Sequence, residues 1–255
     1  MTAENVHAFL RAGGARDHQY RVGSFLIRLT LNTKHPMLNY AVPDDDASPS
    51  AGEVEALVKA FEARGLEPRL EYVSEGAPAL ETILHRHGFS TDAHLPIMRC
   101  RPGEERLAEV PPGFEVVLAR SDEEHADAIA VADQAYREPV GPVDPSRIES
   151  RRRGVQKGGA VVLARNRDSN APAGSGLFPP PRAGVTEVAG VGTAHAFRRQ
   201  GVAAAVTSRL MESAFGGGVQ LLWLTPEGAE GERIYARLGF SRAHGHMVHI
   251  SRQAL

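Results

Sequence analysis

The segment RRQGVA at residues 198–203 places two arginines, a glutamine and a glycine directly before a run of small apolar residues. It follows an apolar stretch at 185–193 that predicts a strand, and it opens residues 199–215, whose apolar residues recur at helical spacing. The first amides of a helix have no partner within the helix and carry the positive end of its dipole, so they bind phosphate oxygens. Gly201 lacks a Cβ and lets a ligand approach closely, while Ala203 keeps the next turn small. We call 198–203 the anion site; a surface helix start with solvated arginines fits the same residues.

The elements that must position this segment predict an α/β or α+β fold, with a sheet that carries helices on both faces. Apolar runs bounded by turn residues predict strands, and longer amphipathic segments predict helices. The predicted strands are 113–119, 159–165, 173–178, 185–193, 219–225 and 243–250, and the predicted helices are 121–137, 199–215 and 228–237.

Composition narrows the class of protein. The 255 residues carry a net charge of −2, which argues against a general nucleic-acid binder. No apolar run approaches the length of a membrane span, and the first twenty residues lack the apolar block of a secretory signal. We therefore expect a cytoplasmic enzyme or ligand-binding module with no nucleic-acid or membrane partner. The sequence leaves both a monomer and a homodimer open.

Cysteine and histidine usage predicts no metal centre. Cys100 is the only cysteine, which excludes a disulfide framework and a cysteine zinc cluster, and a buried apolar role is expected for it. Histidines group at 85/87 and 244/246/249, but no carboxylate pattern accompanies them. We expect these histidines to lie on strands or at the surface.

A break and an internal repeat predict two domains. Charged residues, prolines and glycines cluster at 101–113. On either side, 70–100 and 221–250 both read as an apolar strand, Glu-Gly, a short helix, Gly-Phe and a final strand. Duplication explains this better than chance, although the pattern is a common one. The expected domains are 1–105 and 112–255.

Two motifs of the second half resemble the GNAT superfamily of N-acetyltransferases. The first is the apolar strand followed by Gln/Arg-x-x-Gly-x-Gly/Ala, here VAGVGTAHAFRRQGVA, and the second is Tyr-x-x-Leu-Gly-Phe, here residues 235–240. The resemblance covers about 112–255. It implies acetyl-CoA or another acyl-CoA between two splayed parallel strands, 185–193 and 219–225, with its pyrophosphate on the amides of 198–203. The implied cofactor-binding residues are Val191, Gly192, Thr193, Arg198, Arg199, Gln200, Gly201, Val202 and Ala203.

The resemblance also suggests catalytic residues for the attack of an amine on a thioester. Glu187 is the candidate base, because some members of the family carry a catalytic glutamate at this place. Alternation along a strand would put it on one face with Ala189, Val191 and Thr193, where apolar neighbours would raise its pKa. A solvent-facing glutamate at a strand edge is the alternative. Tyr235 is the candidate acid for the leaving thiolate, with a core aromatic as the alternative. The amide of Val191 or Thr193 would donate to the thioester carbonyl.

The first half resembles a degenerate copy of the second. Leu84 occupies the place of Tyr235, and Asp44, Asp45 and Asp46 stand where the second half has arginines. Three carboxylates would repel a pyrophosphate, so we expect a single active site, in the second half.

The sequence thus predicts a tandem GNAT-like protein whose second domain transfers an acetyl group from acetyl-CoA to a primary amine on a small molecule or peptide. A non-catalytic acyl-CoA sensor or scaffold is the alternative. Arg151, Arg152 and Arg153 fall where the family builds its acceptor site, but a solvated charge run is the usual explanation of such a segment. The amine is not specified by any residue.

Overall fold

The structure is a computed structural model, and it describes residues 3–12, 18–30, 34, 38–136 and 141–253. The chain divides into two compact units, Met1–Ile97 with Arg242–Leu255, and Met98–Ser241. This division differs from the predicted domains, 1–105 and 112–255, at the C-terminus. The reason is that the last strand, β12 (Ser241–Ser251), pairs antiparallel with β4 (Arg69–Val73) from Met247 to Ser251.

The described part of the first unit is built around a parallel crossover. Its helices are α1 (Ala3–Ala12), α2 (Ala51–Glu62) and α3 (Leu80–Arg86). Its strands follow the order β1-β2-β3-β4-β12-β5, where the additional ranges are β1 (His18–Val22), β2 (Phe25–Leu29), β3 (Tyr40–Pro43) and β5 (Ser90–Cys100). The strands β3 and β4 are parallel, and α2 connects them. The α2 helix forms because apolar residues at helical spacing face the core; they are Val54, Leu57, Val58 and Phe61.

The second unit also contains a pair of parallel strands that are connected through a helix. Its helices are α4 (Asp122–Tyr136), α5 (Pro145–Gln156), α6 (Val202–Gly216) and α7 (Gly228–Arg237). Its strands are β6 (Phe114–Leu118), β7 (Ala160–Asn166), β8 (Pro172–Phe178), β9 (Val185–Glu187), β10 (Ala189–Thr193) and β11 (Leu221–Leu224). Four of them form an antiparallel group in the order β10-β8-β7-β6, while β11 pairs parallel with β9 and antiparallel with residues 98–100 of β5. The α5 helix was not predicted.

The predicted strand 185–193 is divided in the structure. Residues 185–187 pair parallel with 221–223, and the Val188 amide donates to the Trp223 carbonyl at 2.8 Å. Beyond that point β10 leaves β11 and pairs with β8 instead. The two parallel strands therefore splay apart after Val188, as the resemblance implied.

The strand β7 shows how the second unit fills both faces of its antiparallel group. Ala160, Val162 and Ala164 point into a core that α6 covers, while Val161 and Leu163 point into a second core beneath α4. This alternation follows from the two-residue period of a strand. It places α4 and α6 on opposite faces, with β10 between them.

The structure bears on three features that composition raised: the single cysteine, possible metal ligands and possible membrane spans. Cys100 is fully buried, and burial together with Glu104 and Glu105 raises the pKa of its thiol to about 12. Among the described residues there is no group of three or more histidines, cysteines or carboxylates arranged to hold a metal ion. No helix in the described part of the chain is long and apolar enough to cross a bilayer.

Candidate functional site

The N-terminus of α6 is open. Gly201 is its N-cap residue, with φ of 84°, and no side chain caps the helix. The Ala205 amide donates to the Gly201 carbonyl at 3.1 Å, so the amides before it begin the helix without an acceptor from their own turn. The first turn contains no acidic side chain. Val202 is buried in the core and offers only its amide, whereas Ala203 is half-buried.

The left-handed backbone at Gly201 explains why a glycine stands there. A Cβ on Gly201 would lie 3.1 Å from Pro111 Cγ, and its positive φ disfavours other residues. Arg199 also has a positive φ, of 62°. The chain turns sharply through 199–201 and so directs these amides outward at the helix start.

The polar side chains of the anion site are exposed at this turn. Arg198, Arg199 and Gln200 all lie at the surface. Arg198 Nε donates to the Thr193 carbonyl at 3.3 Å, and Gln200 Nε2 donates to the Ala196 carbonyl at 3.1 Å. The first of these bonds holds the loop against the end of β10. The predicted site thus consists of exposed cations beside open amides.

A β-bulge interrupts β10 where the sequence predicted strict alternation. Ala189 is paired with Leu177, and Gly192 with Ser175, so one extra residue lies between them on β10. Gly190 has φ of 61° within this bulge. The prediction that Glu187, Ala189, Val191 and Thr193 share one face of a regular strand is therefore wrong beyond Ala189.

Tyr136, at the end of α4, contacts the bulge and was missed by sequence reasoning. Its hydroxyl donates to the Val191 carbonyl at 3.1 Å. Gly192 permits this approach, because a Cβ there would lie 2.7 Å from the Ala135 Cβ. Tyr136 is 49% exposed, and partial burial, with smaller effects from Glu227 and Glu187, raises the pKa of its hydroxyl. The sequence offered no signal for this contact, which joins residues 55 positions apart.

Tyr235 lies on α7 and packs against the core of the second unit. Its ring meets Phe240 edge to face, with centroids 5.9 Å apart. Burial, with smaller effects from Tyr136 and Glu227, raises its pKa. Its phenol therefore stays protonated at neutral pH. Both alternatives for Tyr235 are compatible with this position, because the side chain is half-buried in the core and is also electrostatically coupled to the Tyr136 region.

Two carboxylates approach the point where the strands splay. Glu187 ends β9 opposite Trp223, and Glu227 follows β11 as the N-cap residue of α7. Both contribute to the raised pKa of Tyr136. Glu187 is half-buried and Glu227 is exposed. The structure thus adds a second carboxylate to the one that the sequence predicted.

The equivalent helix start in the first unit is closed by its own side chains. Ser50 and Glu53 form a capping box, in which the Ser50 hydroxyl accepts from the Glu53 amide and the Glu53 carboxylate accepts from the Ser50 amide. The same carboxylate accepts from the Ser24 amide and hydroxyl. These donors lower the pKa of Glu53 to about 2. A carboxylate of the chain itself therefore occupies the start of α2.

Two of the three aspartates before α2 form ion pairs within the first unit. Asp45 binds Arg11 through two hydrogen bonds and accepts from His7 Nδ1 at 2.8 Å. Asp44 pairs with Arg21. Two of the three charges are neutralised within the unit, so repulsion by free carboxylates is not the main obstacle to a pyrophosphate at the start of α2. The Glu53 cap is the main obstacle.

Comparison with known proteins identifies the family. Residues 126–240 match the family model described as the acetyltransferase (GNAT) family. A GCN5-related N-acetyltransferase from Kribbella flavida is 30% identical, with a TM-score of 0.80 over 99% of this chain and 96% of that one. The chain belongs to the GCN5-related N-acetyltransferase (GNAT) family.

More distant structures share the fold. A GCN5-related N-acetyltransferase from Sphaerobacter thermophilus is 17% identical, with a TM-score of 0.62 over 91% of this chain and 78% of that one. A tandem GNAT protein from the clavulanic acid biosynthesis pathway is 14% identical, with a TM-score of 0.61 over 99% and 88%. No curated protein matches the sequence at a significant level.

The residues of the second unit fit an acyl-CoA. The open amides at 201–203 and the exposed arginines suit the pyrophosphate, and the splay between β10 and β11 leaves a gap in the backbone pairing for the pantetheine arm. In the first unit the Ser50 amide, which corresponds to that of Gly201, already donates to the Glu53 carboxylate, and the Glu53 amide donates to the Ser50 hydroxyl. The fit is therefore specific to the second unit.

Proposed function

We propose that the second unit transfers an acetyl group from acetyl-CoA to a primary amine by direct attack within a ternary complex. The observation that carries this proposal is the uncapped start of α6 beside the splayed strands, next to two tyrosines and two carboxylates. When bound, acetyl-CoA supplies the thioester that the amine attacks and the thiolate that leaves. The second domain then extends from about residue 112, and the first domain contributes no cofactor site.

The amine must lose a proton before it attacks, because an alkylammonium has a pKa of about 10.4. Glu187 is the proposed base, acting through water. Glu227 is the alternative base, because it also contributes to the raised pKa of Tyr136. Half-burial of Glu187 favours it, since a less solvated carboxylate is the better base near neutral pH.

Tyr235 is the proposed donor to the leaving sulfur. Its raised pKa keeps the proton available at neutral pH, but it also makes complete proton transfer less favourable. Tyr235 therefore acts mainly as a hydrogen-bond donor to the negative charge that develops on sulfur. The high pKa of Cys100 supports direct attack, because that thiol is not a nucleophile at neutral pH.

We propose that the carbonyl group of the thioester lies against the bulge in β10. Tyr136 binds the Val191 carbonyl and so fixes the orientation of the adjacent peptide units. A fixed backbone amide, of Val191 or Thr193, would donate to the carbonyl oxygen without reorganisation. Tyr136 is a positioning residue in this scheme.

The setting that we propose is cytoplasmic, with a small-molecule or peptide amine as the partner and with no nucleic acid or membrane involved. The protein acts as a monomer or a homodimer. The near-neutral charge balance of the chain supports the exclusion of nucleic acid as a partner.

The proposal is tested in two steps. Calorimetric titration with acetyl-CoA should give saturable binding, and acetyl-CoA incubated with a panel of primary amines should release free thiol. Binding without release for any amine would favour a sensor or scaffold. Absence of binding would refute the acyl-CoA assignment itself.

A further inference from the structure

Residues 104–111, which fall within the predicted break between domains, run along two helices of the second unit, and we call them the strap. Near its start the strap crosses the end of α7. The Arg106 amide donates to the Leu238 carbonyl at 2.9 Å, and a Cβ on Gly239 would overlap the Glu104 carbonyl oxygen. The glycine of the Tyr-x-x-Leu-Gly-Phe motif therefore lies directly under the strap.

The strap next contacts the middle of α6. Ser208 is buried on this helix, and its hydroxyl accepts from the Ala108 amide at 2.8 Å. Ala108 packs against the apolar core of the unit. A buried serine needs a hydrogen-bond partner, and the strap supplies it. From Ser208 back to Gly201 is about two helical turns, or about 10 Å, which about three extended residues can span.

The strap ends against the anion site. Pro111 Cγ lies 3.1 Å from the position that a Cβ on Gly201 would take, so the proline ring packs on the N-cap residue of α6. Just beyond the strap, the Phe114 ring meets the Phe197 ring edge to face, with centroids 5.7 Å apart. Phe197 and Gly201 flank the exposed residues 198–200 on either side. Both ends of this turn are therefore supported by 111–114.

The turn needs such support because its backbone is unfavourable. Arg199 has φ of 62°, a conformation that a residue with a Cβ keeps only when its surroundings hold it there. Gly201 has φ of 84°, and a glycine adopts many other conformations with little cost. No side chain caps α6 and fixes the turn from within. A proline ring has few conformations of its own and is a rigid support.

We propose that Pro111 is a positioning residue of the cofactor site, which holds the Gly201 turn in the conformation that directs the first amides of α6 at the pyrophosphate. This inference rests on the proposed function and extends the cofactor site to a segment far upstream in the chain. The apparent affinity of a site falls with the fraction of molecules in which the site is competent. A turn that is competent in only about a tenth to a third of the molecules would bind about 10- to 3-fold more weakly.

The test compares two adjacent prolines. Pro111→Ala removes the ring that packs on Gly201, and Pro112→Ala is the matched control, since Pro112 is exposed and its replacement relaxes the unfolded chain similarly. Calorimetry is performed with acetyl-CoA and with acetyl-pantetheine, which lacks the pyrophosphate. We expect Pro111→Ala to weaken acetyl-CoA by about 3- to 10-fold while acetyl-pantetheine is unaffected, and Pro112→Ala to bind both as the wild type does.

The outcomes separate this inference from the function on which it rests. Wild-type affinity in Pro111→Ala, equal losses in the two proline variants, or equal losses for the two ligands would overturn the role of Pro111 and leave the proposed function intact. A wild-type protein that binds no acetyl-CoA would refute the proposed function, and the role of Pro111 with it.

A spectroscopic measurement follows the turn without any ligand. The Gly201 amide signal in nitrogen-15 spectra is assigned by its loss in Gly201→Ala. We expect this signal to shift or broaden in Pro111→Ala and to stay in place in Pro112→Ala. A weakened affinity with an unchanged Gly201 signal would overturn the inference, because Pro111 would then act elsewhere.

A second variant keeps the inference testable if Pro111→Ala does not fold. Ser208→Ala releases the strap from α6 about two turns away from the anion site. We expect it to weaken acetyl-CoA and not acetyl-pantetheine, because a released strap no longer presses Pro111 against Gly201. Unchanged affinity for acetyl-CoA, or an equal loss for both ligands, would overturn the inference.

Discussion

Replacing Ala203 by aspartate places a negative charge in the first turn of α6, where the proposed pyrophosphate site begins. This position is a sharper probe than Gly201, because a substitution at Gly201 strains a backbone with φ of 84° and approaches Pro111. Ala203 is half-buried, and the first turn of α6 has no acidic residue. An acid there interacts favourably with the helix dipole, by about 0.3–1 kcal/mol. The variant should therefore fold at least as stably as the wild type.

The same substitution should weaken the binding of acetyl-CoA. Two unit charges about 5 Å apart repel by about 1–3 kcal/mol when the effective dielectric constant lies between that of water and that of a protein surface. This corresponds to a loss of about 5- to 150-fold in acetyl-CoA affinity. Ala203→Asn is the matched control, since it has the same shape without the charge.

The assay is calorimetry with acetyl-CoA and with acetyl-pantetheine, which lacks the pyrophosphate, alongside thermal unfolding. We expect Ala203→Asp to weaken acetyl-CoA alone, to regain affinity as salt is added, and to keep its Tm. If Ala203→Asp and Ala203→Asn bind acetyl-CoA equally well, the pyrophosphate does not lie at the start of α6 and the argument from the open amides is wrong.

Three further predictions follow from the same geometry. Tyr235→Phe should lower kcat by about 10- to 150-fold with little change in acetyl-CoA affinity, because it removes one hydrogen bond to a developing charge; unchanged kcat would make Tyr235 a core aromatic only. Glu187→Gln should lower kcat by about 100-fold or more and Glu227→Gln by less, measured as thiol release; the reverse order would assign the base to Glu227. The pKa of Glu53 is lowered from 4.5 to about 2, so its stabilising contribution is present above pH 4.5 and is lost as the pH falls toward 2. Chemical denaturation of Glu53→Gln should show a shallower loss of stability over that range than the wild type; equal pH dependence would refute the role of the capping box.

Much of the second unit was predictable because its signals are local. The helix predicted at 228–237 coincides with α7, and the predicted strand 159–165 lies within one residue of β7. The α5 helix escaped prediction because none of its residues is buried, so its sequence carries no apolar period to detect. The predicted domains follow chain order, whereas strand pairing joins β12 to the first compact unit, a grouping that no local pattern indicates.

The sequence by itself determined the family resemblance and the place of the predicted anion site. Both depend on a local pattern, a glycine before a run of alanines after an apolar strand. The tertiary structure alone decided which groups meet there. Tyr136 reaches Val191 across 55 residues, and Glu227, at the start of α7, contributes to the raised pKa of the same phenol. It also distinguished Arg151, which lines a small cavity, from its two neighbouring arginines. It showed that Glu53 caps the start of α2, whereas the start of α6 has no side-chain cap. Burial, charge pairing and the competition of side chains for backbone amides depend on distant residues, and no local pattern encodes them.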